Sequence, residues 1–372
     1  MGKPKVLYNA YTLSKPITGV GRYTQLLSFI NSDQVDKYAS IPNERILWEN
    51  SFTKVFTKNY NTLLSKIYWN LFDLYPDFVS FDLLHSPYPS LPIKVDIPSI
   101  VTIHDLLFLS NPEWYPKLEI FLLYRTLKNS IIKANKIICV SNYTFQMLIS
   151  YFPEVKHKCI VVHNSIPPPS QISKYLSSDL HDINNKNVNL LIKSGNPYFI
   201  CPSNRHPRKN LVNTINGFLN SKYNRIGYKL ILTGLNENGN QIENNLTNVF
   251  DFGYLADTDY YALIKNSSGI LYFPFNEGFG LPILDSLIFN KFVFCSDIPV
   301  FNEIITNHKF LCSDFKTSNG IANFLNKICE SDFVLDDLVS NFKKNILNFS
   351  FSKFESKHLE LYTELLHVSK KR

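Results

Sequence analysis

Short apolar runs recur along the whole chain, each followed by an amphipathic segment of helical length. The runs at 6–8, 99–103, 137–140, 159–162, 198–201, 229–233, 269–273 and 292–295 are bounded by polar or turn residues and read as strands. Between them, 21–30, 117–134, 143–150, 210–219, 257–265 and 281–289 carry helical patterns. Strand, helix, strand at this spacing predicts parallel sheets with helices on both faces, an α/β architecture. At 372 residues the chain is too long for one ordinary compact domain and suits two, each able to bury its own core.

The alternation breaks once. Residues 167–196 begin Pro-Pro-Pro-Ser, turn polar and then Asn-rich, which predicts an interdomain connection over 171–196. The expected organisation is therefore a first domain over 1–170, a second over 197–348, and a terminal helix over 349–372 that packs back on the first domain. Phe354, Leu361, Leu365 and Leu366 fall near one face of that helix.

Cysteine usage bounds the chemistry. Cys139, Cys159, Cys201, Cys295, Cys312 and Cys329 form no C-x-x-C pair, and several sit in apolar runs. That predicts buried thiols in a reducing compartment, with neither a disulfide framework nor a zinc site. The first residues enter a strand directly, without a signal-peptide core, and no run of about 18 apolar residues could span a bilayer. The expectation is a cytoplasmic or peripheral protein. The net charge of +7 is weighted to the first half but forms no dense Lys/Arg run, so a nucleic-acid partner is not expected.

Two segments carry the chemistry. Residues 273–287 read FPFNEGFGLPILDSL: a strand end, a turn through Gly278 and Gly280, then a helix with Pro282 in its first turn. Such a turn aims backbone amides and a positive helix end at one spot, which suits a diphosphate. Glu277 and Asp285 flank it, able to accept hydrogen bonds from sugar hydroxyls. An ordinary βα loop would explain the glycines as well. The second segment, 198–211, reads YFICPSNRHPRKNL and gathers Arg205, Arg208 and Lys209 where a strand ends. Cations there offset charge on a departing nucleotide diphosphate, although three basic residues in a turn also describe a solvated surface.

Segment 273–287 resembles the E-x7-E signature of the retaining glycosyltransferases of family GT4 (glycosyltransferase group 1), in the EGFGLP form of mannosyltransferase-like members. The run PRKN at 207–210, TGVGRY at 18–23, VTIHDLL at 101–107, VSNYT at 140–144 and VVHNSI at 161–166 resemble further family elements in the family's order. The resemblance implies the GT-B fold, two Rossmann-like domains with parallel sheets facing across a cleft. It implies that Glu277 contacts the transferred hexose, and that the Phe279, Gly280 and Leu281 amides, with Gly278, meet sugar and phosphate. Asp285, in place of the usual Glu, would hold the ribose hydroxyls. Lys209 would grip the diphosphate, with Arg205 standing for the family's first phosphate-binding arginine. Ser203 and Asn204 fill a slot that usually begins with Gly. Gly19 and Gly21 would face donor phosphate and acceptor, and His104 would lie near the hexose.

The expected activity is metal-independent, retaining hexosyl transfer from a nucleotide sugar to a glycan or polyprenyl-linked acceptor, with no cofactor and no metal site. GDP-mannose is the first-choice donor, in bacterial O-antigen or capsule assembly. A UDP-hexose or UDP-N-acetylhexosamine donor, or a catalytically silent sugar-nucleotide-binding scaffold, stands as the alternative. Helix 117–136 sets Lys117, Arg125, Lys128, Lys133 and Lys136 beside Phe121, Leu122, Leu123 and Tyr124. It suits either weak association with an anionic membrane or packing on the first sheet.

Overall fold

The structure, a computed structural model, describes residues 3–14, 18–41, 51–57, 80–177, 182–235, 246–331 and 346–369. It divides into two compact units, Met1–Pro168 with Ser350–Arg372, and Pro169–Phe349. Among the described residues, the first holds β1 (Lys5–Asn9), β2 (Asp36–Ile41), β3 (Lys54–Thr57), β4 (Leu83–Ser86), β5 (Ser99–Ile103), β6 (Lys136–Cys139) and β7 (Cys159–Val161). The second holds β8 (Tyr198–Pro202), β9 (Lys229–Thr233), β10 (Val249–Gly253), β11 (Gly269–Tyr272), β12 (Phe292–Ser296) and β13 (Leu311–Cys312).

Both sheets are parallel, in the orders β3-β2-β1-β4-β5-β6-β7 and β10-β9-β8-β11-β12-β13. Each order runs outward from its first strand in both directions, the Rossmann arrangement. Such a sheet has a crevice beyond the carboxyl ends of the two strands where the order reverses. Those pairs are β1 with β4 and β8 with β11. The strands meet the demand of a sheet covered on both faces, since β5 and β8 are buried at every position.

Segment 171–196 is not the plain connection its composition suggested. Helices Pro169–Ser177 and Lys186–Ser194 occupy most of it, count with the second unit, and pack on helix Asp257–Asn266. Its asparagines are structural. Asn185 Oδ1 caps the second helix by accepting from the Asn187 and Val188 amides, while Asp259 Oδ1 accepts the Asn184 and Asn185 amides at 2.8 and 3.2 Å. Polar capping and a short apolar face at Val188 and Leu191 hid the helix from a composition reading.

Helix Lys117–Lys133 splits lengthwise. Leu127, Ser130 and Ile131 are buried, whereas Leu118, Phe121, Leu122, Leu123 and Tyr124 are exposed. The Arg125 guanidinium lies over the Phe121 ring at 5.5 Å and the Lys128 ammonium over Tyr124 at 5.9 Å. Among the described residues no helix is long and apolar enough to cross a membrane.

The terminal helix Phe351–Ser369 is tied into the first unit by a buried chain of polar groups; residues 370–372 lie outside the described residues. His358 Nδ1 lies 2.7 Å from the Phe354 carbonyl, which can only accept. That fixes the proton on Nδ1, so Nε2 accepts from the Tyr23 hydroxyl at 2.9 Å. Tyr23 then accepts from Thr102 (3.1 Å), Thr102 from His85 Nε2 (3.0 Å), His85 Nδ1 from Tyr362 (2.8 Å), and Tyr362 from Tyr8 (3.1 Å). One carbonyl thus orients every proton in the chain, with both histidines neutral. Burial pushes His358 down to about 4 and His85 well below the usual range.

The unfolded chain protonates these imidazoles below about pH 6.5, while the folded protein resists until its lowered values. Their contribution is complete above pH 6.5 and is lost as pH falls. His358 alone should remove about 2 kcal/mol of stability between pH 7 and pH 5. Urea unfolding at the two pH values measures this, and equal stability at both would contradict the neutral chain.

Candidate active site

The second unit's switch point is built by the loops leaving β8 and β11. After β8 the chain passes Ser203 and Asn204 into the 3₁₀ turn Pro207–Lys209, and Asn210 then takes left-handed geometry (φ 54°). Asn210 Nδ2 donates to the carbonyls of Phe273 (2.9 Å) and Phe315 (2.8 Å), locking this loop to the one after β11. The Phe275 amide adds a bond to the Arg208 carbonyl at 2.8 Å. The two loops are therefore one body.

After β11 the chain runs through Glu277 and Gly278 to Gly280, at φ 112°, and into helix Leu281–Ile288 with Pro282 in its first turn. A Cβ at Gly280 would lie 2.7 Å from the Phe301 ring, so the turn needs glycine for both conformation and space. Phe279 is buried against Phe349, ring centroids 5.8 Å apart. The helix start carries no side-chain cap.

Glu277 is the centre of the site. It is buried, and its Oε1 receives Lys209 Nζ, Arg208 Nη1 at 2.6 Å and the Tyr272 hydroxyl at 2.7 Å. Lys209 also donates to the Tyr272 hydroxyl at 2.7 Å and lies over that ring. Burial alone would raise the Glu277 pKa; Arg208 and Lys209 outweigh it and hold the carboxylate at about 2. Burial, then the neighbouring Arg208, bring Lys209 down to about 8 against the pull of Glu277. At neutral pH these three groups carry two positive charges and one negative. The cluster sits at the start of helix Leu281–Ile288, whose positive end favours a bound anion.

The structure brings Arg208 to Glu277, whereas Arg205 Nη2 pairs with Asp251 of β10 at 2.5 Å and Nη1 donates to the Ser203 carbonyl at 2.7 Å. Arg205 leaves the strand too early to face β11, whereas Arg208 sits in the turn that the Phe275 amide clamps. Tyr272 escaped the sequence reading because it lies inside an apolar run; only its place at the strand end could have marked it. Ser203 is buried and Asn204 exposed, with Gly234 packed against the Ser203 backbone where a Cβ would stand 2.6 Å from the carbonyl oxygen. Asp285 is 1% exposed and accepts hydrogen bonds from Tyr260 and Tyr261 at 3.3 and 3.2 Å.

His104, Gly19 and Gly21 belong to the first unit. Gly19 and Gly21 form the first turn of helix Gly19–Ser28, just after β1, with Thr18 Oγ1 accepting the Gly21 amide at 3.2 Å. His104 follows β5. Its Nε2 donates to the Pro87 carbonyl at 2.7 Å, leaving Nδ1 the acceptor, and its ring stands edge-on to Tyr23 at 5.0 Å. Burial lowers its pKa, which keeps the ring neutral.

The model of the family described as Glycosyl transferases group 1 matches residues 182–348, and that of Glycosyltransferase Family 4 matches residues 43–168. The O-antigen chain mannosyltransferase B of Escherichia coli is 23% identical, over 79% of this chain and 82% of its own. The Anabaena protein HepE, solved with UDP and glucose, superposes with a TM-score of 0.69 at 17% identity, covering 97% of this chain and all of HepE (100%). WaaG, a glycosyltransferase involved in lipopolysaccharide biosynthesis, gives 0.69 at 10% identity, covering 96% and 99%.

Removing the buried carboxylate should strand two part-buried cations. Glu277→Ala is expected to cost about 3–5 kcal/mol of stability. Inorganic pyrophosphate should return part of that loss by replacing the missing negative charge. Thermal melts with and without pyrophosphate check both, and a variant that melts like the parent would contradict the charge assignment.

Proposed function

We propose, for a chain that belongs to the group 1 (family 4) glycosyltransferases and has the GT-B fold, that the Glu277 group receives the diphosphate of a nucleotide sugar and drives retaining hexosyl transfer. The observation that carries this reading is the part-buried pair Lys209 and Arg208, held by the buried Glu277 and by Tyr272 at the switch point of the second unit. When the diphosphate lies at the Gly280–Leu281 amides, the two cations follow the phosphate charge. Glu277 is then freed to accept hydrogen bonds from the hexose. The bond from the anomeric carbon to phosphate oxygen breaks as the acceptor oxygen bonds on the same face. The acceptor proton passes to the leaving diphosphate, whose charge Lys209 and Arg208 offset. The scheme assigns no step to a metal.

GDP-mannose is the first-choice donor, supported by the EGFGLP form and by the relative named a mannosyltransferase. A UDP-sugar is the alternative, supported by the fold-level neighbour solved with UDP. His104, neutral and fixed through Nε2, offers Nδ1 to a hexose hydroxyl, and the helix start at Gly19 and Gly21 is assigned to donor phosphate and acceptor. The acceptor is a glycan or a lipid-linked glycan of a bacterial surface polysaccharide, with the protein peripheral at the cytoplasmic membrane face. The exposed aromatic and basic half of helix Lys117–Lys133 supports that location.

Lys209→Ala should lower turnover by about 100- to 1000-fold, the effect of losing one charge-stabilising donor. The assay is release of nucleoside diphosphate from GDP-mannose and UDP-hexoses, with and without acceptor. Parent-like turnover in the variant would remove the phosphate role, and binding without any turnover in the parent would support the silent scaffold. In flotation, the protein should rise with vesicles containing anionic lipid at low salt; remaining at the bottom of the gradient would contradict a membrane location.

A further inference from the structure

The three donors on Glu277 are of two kinds. Lys209 and Arg208 are cations in the turn after β8, whereas Tyr272 is the last residue of β11 and carries no charge. Among the described residues all three meet Oε1, with Arg208 Nη1 at 2.6 Å and the Tyr272 hydroxyl at 2.7 Å, and the hydrogen bonds of the carboxylate end there. Oε2 is the oxygen left for a ligand. The Glu277 side chain is 10% exposed, so the group is not sealed.

A diphosphate acts on these donors unequally. Its charge draws Lys209 and Arg208, because a hydrogen bond between two ions is the strongest kind. The neutral Tyr272 hydroxyl gains less from phosphate and is held more firmly. Tyr272 is 2% exposed, sits in register with Cys295 of β12, and leans on the Phe301 ring with centroids 5.6 Å apart. The same Phe301 ring closes on Gly280, so the tyrosine and the glycine turn share one backing. Burial pushes the Tyr272 pKa well above its usual value, which keeps the hydroxyl a donor. Its proton goes to Glu277, while its oxygen accepts from Lys209 at 2.7 Å. When Lys209 turns to phosphate, the tyrosine keeps its own bond and Oε1 stays pinned.

We infer that Tyr272 is a positioning residue for the transferred sugar: it holds Glu277 through Oε1 while the cations are on the diphosphate, so that Oε2 accepts from a hexose hydroxyl. The inference rests on the transferase reading, because it takes this group to receive a nucleotide sugar. Tyr272 then contributes to binding the hexose and not to binding the diphosphate.

Calorimetric titration of the full chain with GDP, GDP-mannose, UDP and UDP-glucose tests this in the parent, in Tyr272→Phe, in Glu277→Gln and in the double variant. For whichever base binds, Tyr272→Phe should weaken the nucleotide sugar by about tenfold or more, the effect of losing a hydrogen bond to a charged group. The nucleoside diphosphate should change by less than about threefold, since it makes no use of that bond. In the Glu277→Gln protein, adding Tyr272→Phe should cost the nucleotide sugar less than about threefold, because the tyrosine acts through the carboxylate. Parent-like binding of the nucleotide sugar by Tyr272→Phe overturns the inference. An equal loss for nucleotide sugar and nucleoside diphosphate, the mark of a merely structural role, overturns it too, as does an undiminished loss on the Glu277→Gln background. If neither GDP nor UDP binds the parent, the transferase reading falls and this inference with it; if one binds and Tyr272→Phe fails these tests, the inference alone falls.

Discussion

Two cations share one carboxylate at the carboxyl ends of β8 and β11, and much of the second unit is arranged to make that possible. Holding the part-buried cations Lys209 and Arg208 side by side costs free energy, and the buried Glu277 carboxylate accepts both. The loops that present them are fixed by Asn210, whose left-handed backbone and two carbonyl contacts fuse the β8 and β11 connections. Gly280 supplies the turn that ends this loop and starts a helix, in a space the Phe301 ring closes to any side chain. Two cations on one carboxylate, beside a helix start without a side-chain cap, are the arrangement on which the proposed diphosphate site rests.

The fold was largely legible in the chain. Buried parallel strands need continuous apolar runs, and those runs stood out against amphipathic helices. The site was legible in its parts: Glu277, Lys209 and the glycine turn were each marked by residue type at a strand end. What could not be read was partner choice. Arg205 and Arg208 are three residues apart in one basic run, and only the clamp between the Phe275 amide and the Arg208 carbonyl decides which faces Glu277. Tyr272 looked like any aromatic in a strand. Asp285 is marked by its spacing from Glu277, but the tyrosines that bond it come from a different helix. Pairings across long sequence separations are set by packing and leave no local pattern.

The first unit repeats the architecture with a different interior. Its switch-point strands carry Tyr8 and His85, joined through Tyr362 to the terminal helix, so a segment at the far end of the chain completes the polar interior of the first sheet. The same network passes through Tyr23, whose ring supports His104. The terminal helix is thereby joined to His104 through buried hydrogen bonds and the Tyr23 ring.

A crystal structure of the protein with GDP or UDP would test the central claim most directly. The account predicts the diphosphate at the Gly280 and Leu281 amides, with Lys209 and Arg208 drawn from Glu277 onto its oxygens. A nucleotide bound elsewhere, with Lys209 and Arg208 still on Glu277, would contradict it.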